Sequence, residues 1–335
     1  MVRKRPEPKP ETPLQKRGRK LVDGLRNGKG KEPAGMHRSD PRIGVALGGG
    51  ASRGLTHIPF IEAMDELGIR PAVISGTSIG ALIGAGWANG MSGKELREHA
   101  STVLGSMRTI AGRIWATHLG GGIRNVFVNG LPTALDATRV VDSFLPEGFC
   151  LEFKELKIPL YVVATDLQSW HQVVFSQGLI REAIAGSISI PSLFRPVAHA
   201  NHLLVDGGAV NPLPLDQIEA DSDLTVGIDV NGDPSETLHR TNYKALDVWF
   251  GAAQIMMHSL IAHMMAAYPP DLYIRPHLAQ VGSLEFWRVK EIIAHAEKEK
   301  DRFKWLLTDK IEAWHAERQR TSAATSPMPR RANQK

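Results

Sequence analysis

The chain has 335 residues, of which 42% are hydrophobic and 22% charged, with a formal net charge of +5. That length buries one large core or two modest ones. The single cysteine, Cys150, excludes an internal disulfide framework and any multi-cysteine metal site.

Charge is unevenly placed: residues 1–40 carry +7, residues 41–316 carry −6 and residues 317–335 carry +4. Residues 1–41 form a Pro-, Lys- and Arg-rich segment without the apolar stretch of a secretory signal. With one cysteine and no run of about 18 apolar residues, the expected location is cytoplasmic. The basic end has two readings, a solubilising extension or a peripheral contact with an anionic membrane. No aromatic residues interleave with the basic ones and the body offers no basic face, so no nucleic-acid partner is expected.

The folded domain is expected over residues 42–305, with 306–335 as a helix end and a second basic, disordered tail. Ile43-Gly44-Val45-Ala46-Leu47 reads as a strand that runs into the glycine-rich turn 48–54. Ile58, Ile61, Met64 and Leu67 recur at helical spacing, and Gly68 ends that helix. A strand over 72–75 then turns through Gly76-Thr77-Ser78-Ile79-Gly80 into a helix of small residues. Strand, helix, strand and helix in this order predict a parallel sheet with helices on its faces.

Residues 105–130, with Gly120-Gly121-Gly122 among large apolar side chains, suit a lid or an ordinary loop. Further strands are expected over 160–164, 172–176, 203–205, 224–230 and 272–274. Residues 249–268, rich in Met and Ile, suit either plain helical core or a wall for an acyl chain. A terminal helix is expected over 286–308, and nothing ordered after about Ala316.

Three motifs carry the chemistry. Gly-x-Ser-x-Gly between a strand and a helix places Ser78 on a strained turn as a candidate nucleophile, with Gly76 and Gly80 leaving room around it. The glycine-rich turn has two readings, a phosphate loop or an oxyanion hole. The strict dinucleotide pattern fails in every register, and no Gly-Lys-Ser/Thr follows. Asp206-Gly207-Gly208 reads either as a tight turn or as a carboxylate at a strand end with space beside it. An α/β-hydrolase triad would need a later histidine; His239, His258, His263, His277, His295 and His315 are available, and of these only His277 suits a loop after a strand.

Taken together, the motifs resemble the patatin-like phospholipase family, especially its bacterial members. The resembling stretches are 47–58, 75–80, 163–167, 189–197 and 204–214, within about 42–305. The resemblance implies a three-layer α/β fold with a mostly parallel sheet. It implies a Ser–Asp dyad, with Ser78 as nucleophile and Asp206 as its base. It maps the oxyanion hole onto Gly49, Gly50 and Ala51, supported by Gly48, Arg53, Gly54, Gly76, Gly80, Gly207 and Gly208.

Many members carry Gly where Ala51 stands, so the loop is expected to avoid a strongly positive φ there. Arg53 is expected to brace the loop rather than face a headgroup. The implied activity is hydrolysis of a carboxylic ester in a phospholipid, lysophospholipid or neutral lipid, without metal or cofactor. The alternative is a non-catalytic lipid- or acyl-binding regulator on the same fold.

Overall fold

A computed structural model of the chain describes residues 40–104, 135–232, 245–278, 281–282 and 284–325. The apolar run Ile43–Leu47 forms strand β1, buried at every position, as befits a strand covered on both faces. Strands β2 (Val73–Thr77), β3 (Leu160–Asp166), β4 (Gln172–Phe175), β5 (Val197–His199), β6 (His202–Asp206), β7 (Leu224–Ile228) and β8 (Leu272–Ile274) complete one mixed sheet. Its order is β5-β6-β3-β2-β1-β7-β8, with β4 paired to β3. β3, β2, β1, β7 and β8 run parallel, whereas β4 and β6 are antiparallel to β3 and β5 is antiparallel to β6.

Among the described residues eight α-helices cover the sheet: α1 (His57–Glu66), α2 (Ile79–Ala88), α3 (93–104), α4 (Ala137–Phe144), α5 (Ile180–Ser187), α6 (Ala245–Ala267), α7 (Val289–Glu297) and α8 (Lys300–Thr325). Alternate strand residues point to opposite faces. Val45 and Leu47 therefore join the large core with Phe60, Ile83, Ile184, Ile292 and Phe303, while Ala46 faces a smaller one with Leu213, Leu215, Ile218 and Ile261. Helices on both sides make the three layers expected from the sequence.

Several boundaries differ from expectation. β2 and β3 extend to Thr77 and Asp166. Helices α3, α4 and α5 have no counterpart among the expected elements. The expected terminal helix is split into a 3₁₀ turn at Phe286–Arg288, α7 and α8. The chain stays helical through Thr325, where an unstructured end was expected after Ala316. Phe303, Leu307 and Ile311 bury one stripe of α8, and Glu317 to Ala324 contains good helix formers with no apolar stripe to announce them. In α6 the inner side is core through Ile261, while Ile255 and Met256 are exposed. The expected lid over 105–130 falls outside the described residues.

Candidate active site

Strand β2 and helix α2 meet at Ser78, the residue immediately before the helix. Its φ of 56° and ψ of −124° fall in a region costly for any L-residue with a Cβ. The surroundings hold it there. Thr77 Oγ1 donates to the Asn211 carbonyl at 2.7 Å, and the Ser78 N–H donates to Ser187 Oγ at 2.8 Å. Ser187 Oγ in turn donates to the Val163 carbonyl at 2.6 Å, so one hydroxyl ties the turn to α5 and β3. A Cβ at Gly80 would strike the Leu47 carbonyl, and one at Gly76 would lie 2.6 Å from the Ala81 nitrogen. The turn is closed this tightly only because both positions lack a side chain.

Asp206 ends β6, level with the turn because β6 runs antiparallel beside β3, with Ala164 opposite Asp206 and Val163 opposite Thr77 on the other edge. Its backbone is fixed at both ends. The Asp206 N–H donates to the Ser189 carbonyl at 2.9 Å, and Thr165 Oγ1 donates to the Asp206 carbonyl at 2.8 Å. One carboxylate oxygen, Oδ1, accepts from the Gly208 N–H at 2.7 Å. The other, Oδ2, accepts from Ser78 Oγ at 2.5 Å.

Both side chains are buried. Burial pushes the Asp206 carboxyl up to about 6, against the hydrogen bonds from Ser78 and Gly208, which favour the ionised form. Among the described residues, no histidine bonds either Ser78 or Asp206: His202 Nδ1 lies 3.1 Å from Asp166, and His199 packs beside Phe175. Gly207 lies against the Val163 carbonyl, where a Cβ would not fit.

The glycine-rich turn sits between β1 and α1, alongside β7 and the Ser78 turn. Gly48 N–H donates to the Ile228 carbonyl at 3.0 Å. Of the three amides expected to line an oxyanion hole, that of Gly49 is engaged elsewhere, donating to the Pro212 carbonyl at 2.9 Å. None of the hydrogen bonds of the described residues uses the N–H of Gly50 or Ala51. A Cβ at Gly50 would collide with the Val230 carbonyl.

Ala51 has φ 51°, contrary to the expectation that an alanine here would avoid the left-handed region. It opens the 3₁₀ turn Ala51–Thr56, and the bonds around it hold it in that conformation. Arg53 braces the turn, donating from Nε to the Val281 carbonyl at 3.0 Å and from Nη1 to the Asn231 carbonyl at 2.8 Å. Ser52 Oγ adds a bond to the Gly282 carbonyl at 2.8 Å. Gly54 packs against the Ile79 side chain.

Sequence reasoning singled out Ser78 and Asp206 and missed their supports. Ser187, Thr165, Asn211 and Pro212 act through side-chain or carbonyl oxygens on segments distant in the chain, and no local spacing marks them. Among the described residues, no group of three or more His, Cys, Asp or Glu has metal-binding geometry, and no helix is long and apolar enough to cross a membrane.

Comparison with known proteins bears on the whole arrangement. A family model described as patatin-like phospholipase matches residues 45–218. An uncharacterized NTE family protein of Mycobacterium tuberculosis is 33% identical over 195 residues, 58% of this chain and 50% of that protein. Lysophospholipase nte1 of Aspergillus fumigatus is 26% identical over 273 residues, 75% of this chain and 17% of that protein. The chain therefore spans half or less of the length of these relatives. Among solved structures, VipD from Legionella pneumophila aligns over 84% of this chain and 70% of its own, with a TM-score of 0.45 and 16% identity. The family match covers more than half of the chain and includes both Ser78 and Asp206, and the chain belongs to the patatin-like phospholipase family.

Proposed function

We propose that the protein is a serine acyl hydrolase that cleaves carboxylic esters of lipids through a Ser78–Asp206 dyad. The observation that carries this reading is the 2.5 Å hydrogen bond from Ser78 Oγ to Asp206 Oδ2 inside a buried site. A serine hydroxyl becomes an effective nucleophile when a base within hydrogen-bond reach removes its proton. A carboxyl raised to about 6 is a stronger base than an ordinary aspartate and is still ionised at neutral pH.

In this mechanism Ser78 Oγ attacks the ester carbonyl while its proton passes to Asp206. Negative charge then develops on the former carbonyl oxygen, where the N–H groups of Gly50 and Ala51 are available to receive it. The positive end of α2 favours the same charge. Collapse of the tetrahedral intermediate breaks the ester C–O bond, and the leaving alkoxide takes the proton from Asp206. Water then attacks the acyl-serine as Asp206 takes its proton; the bond from Ser78 Oγ to the acyl carbon breaks, Asp206 returns the proton to Oγ, and the fatty acid leaves.

The relative named as a lysophospholipase supports a lysophospholipid or phospholipid as substrate. The basic segment 1–41 supplies a second contact, with the anionic surface on which such substrates lie.

Ser78→Ala and Asp206→Asn are each expected to lower turnover of a p-nitrophenyl acyl ester by at least 10³-fold with the circular-dichroism spectrum unchanged. A folded variant of either kind with near-wild-type turnover ends the dyad assignment. Covalent labelling of Ser78 by a fluorophosphonate separates the enzyme from a regulator that binds lipid without reacting.

A further inference from the structure

His57 is wholly buried at the start of α1, next to the glycine-rich turn, yet it hydrogen-bonds to neither Ser78 nor Asp206. Its Nε2 lies 2.9 Å from the Gly48 carbonyl oxygen. A carbonyl only accepts, so Nε2 must carry the proton and the ring is the Nε2–H tautomer. Nδ1 has no partner among the described residues, which fits an unprotonated nitrogen. Burial also pushes the imidazole down to about 4, so it is neutral at physiological pH.

That carbonyl belongs to the same peptide unit as the Gly49 N–H, and the N–H donates to the Pro212 carbonyl at 2.9 Å. In a trans peptide the two groups point in opposite directions. The Gly48–Gly49 unit is thus gripped at both ends, by an imidazole on one side and a carbonyl on the other. A peptide between two glycines is the easiest kind to rotate, because neither neighbour has a Cβ to resist. Rotation here would re-aim the next two amides, those of Gly50 and Ala51.

We infer that His57 is a positioning residue for the oxyanion loop: its Nε2–H locks the Gly48–Gly49 peptide so that the Gly50 and Ala51 amides face the ester oxygen. The inference rests on the hydrolase reading above and adds to it the residue that holds the amides in place. It also assigns Gly49 to the clamp instead of to the hole.

Two variants test it. His57→Leu removes the donor, and His57→Gln returns an N–H at nearly the Nε2 position. On p-nitrophenyl butyrate, His57→Leu is expected to lower kcat by about 10- to 100-fold, the range for catalytic groups displaced by an ångström or less, with KM within threefold of wild type. His57→Gln is expected to recover kcat to within about fivefold of wild type. Folded His57→Leu with unchanged kcat overturns the clamp, and so does an equal loss in both folded variants, which would assign the effect to ring packing.

If His57→Leu does not fold, the long-range ¹H–¹⁵N spectrum of the histidines in wild type decides. The signal missing from His57→Gln, or unmatched once the other histidines are assigned by substitution, must show the Nε2–H tautomer with a slowly exchanging proton. The Nδ1–H tautomer or an imidazolium at pH 7 overturns the proposal. Failure of the hydrolase reading itself looks different: folded wild-type protein would neither turn over esters nor label at Ser78, whatever the state of His57.

Discussion

In the proposed dyad, Asp206 trades stability for reactivity. Its carboxyl is raised from the ordinary aspartate value to about 6 by burial. In the unfolded chain it titrates near 3.9. A raised value means that folding favours the protonated form, so the favourable contribution is complete below about pH 4 and is lost as pH rises through 6. At pH 8 the ionised Asp206 therefore costs stability, at most about 3 kcal/mol by the usual conversion.

Asp206→Asn is expected to melt higher than wild type at pH 8, with the gap closing by pH 4, as differential scanning calorimetry would read. Under the proposed mechanism activity runs the other way: kcat/KM should fall about tenfold per pH unit below 6, because only the ionised carboxylate could accept the serine proton.

Ala51 is the second residue-scale case. A left-handed alanine costs roughly 1–2 kcal/mol, and Ala51→Gly returns part of that through a more flexible unfolded chain. The expected net gain is about 0.5 kcal/mol in urea denaturation, with no loss of kcat.

At the scale of elements, the site is the meeting of β2, α2, β6 and α5, and Ser187 is where they join. It accepts from the Ser78 N–H and donates to the Val163 carbonyl. Ser187→Ala leaves a buried N–H and a buried carbonyl without these partners. It is expected to cost about 1–3 kcal/mol and to lower kcat more than it raises KM, checked by chemical denaturation and steady-state kinetics.

This is also where legibility in the sequence ends. Ser78 was readable because its neighbours along the chain, Gly76 and Gly80, carry the steric requirement. Asp206 became readable only beside the other two motifs, since Asp-Gly-Gly by itself also describes a turn. Ser187 and Pro212 are not readable, because the turn residues they hold, Ser78 and Gly49, lie more than a hundred positions away. Helices α4 and α5 have only eight residues each, so tertiary packing stabilises them more than any periodic run, and α3 buries a thin stripe of Leu96, Ala100 and Leu104.

For the molecule as a whole, the C-terminal helices fasten the first layer of the sheet. Phe303 of α8 meets Phe60 of α1 edge-on, with ring centres 5.1 Å apart. Around this contact Glu62 accepts from Arg97 at 2.6 and 2.5 Å and from Lys300 at 3.1 Å, and Lys304 reaches Glu66 at 2.9 Å. Arg97 and Lys300 hold the Glu62 carboxyl below its ordinary value although burial opposes them. The ion pairs flank the aromatic contact, and Phe303, Leu307 and Ile311 together bury the inner stripe of α8. Phe303→Ala is expected to lose about 3–5 kcal/mol, seen as a lower midpoint in guanidinium. Because α1 begins at the end of the glycine-rich turn, the same variant should also slow catalysis.

The reversal of β6 has a practical outcome of its own. A base carried on a flexible connection drifts away from its nucleophile on gentle warming, and catalysis then dies well before the protein melts. Here the carboxylate is laced into the central ladder next to β3, so the two oxygens part company only when the ladder itself comes undone. Heat inactivation and the loss of far-ultraviolet ellipticity should trace a single curve.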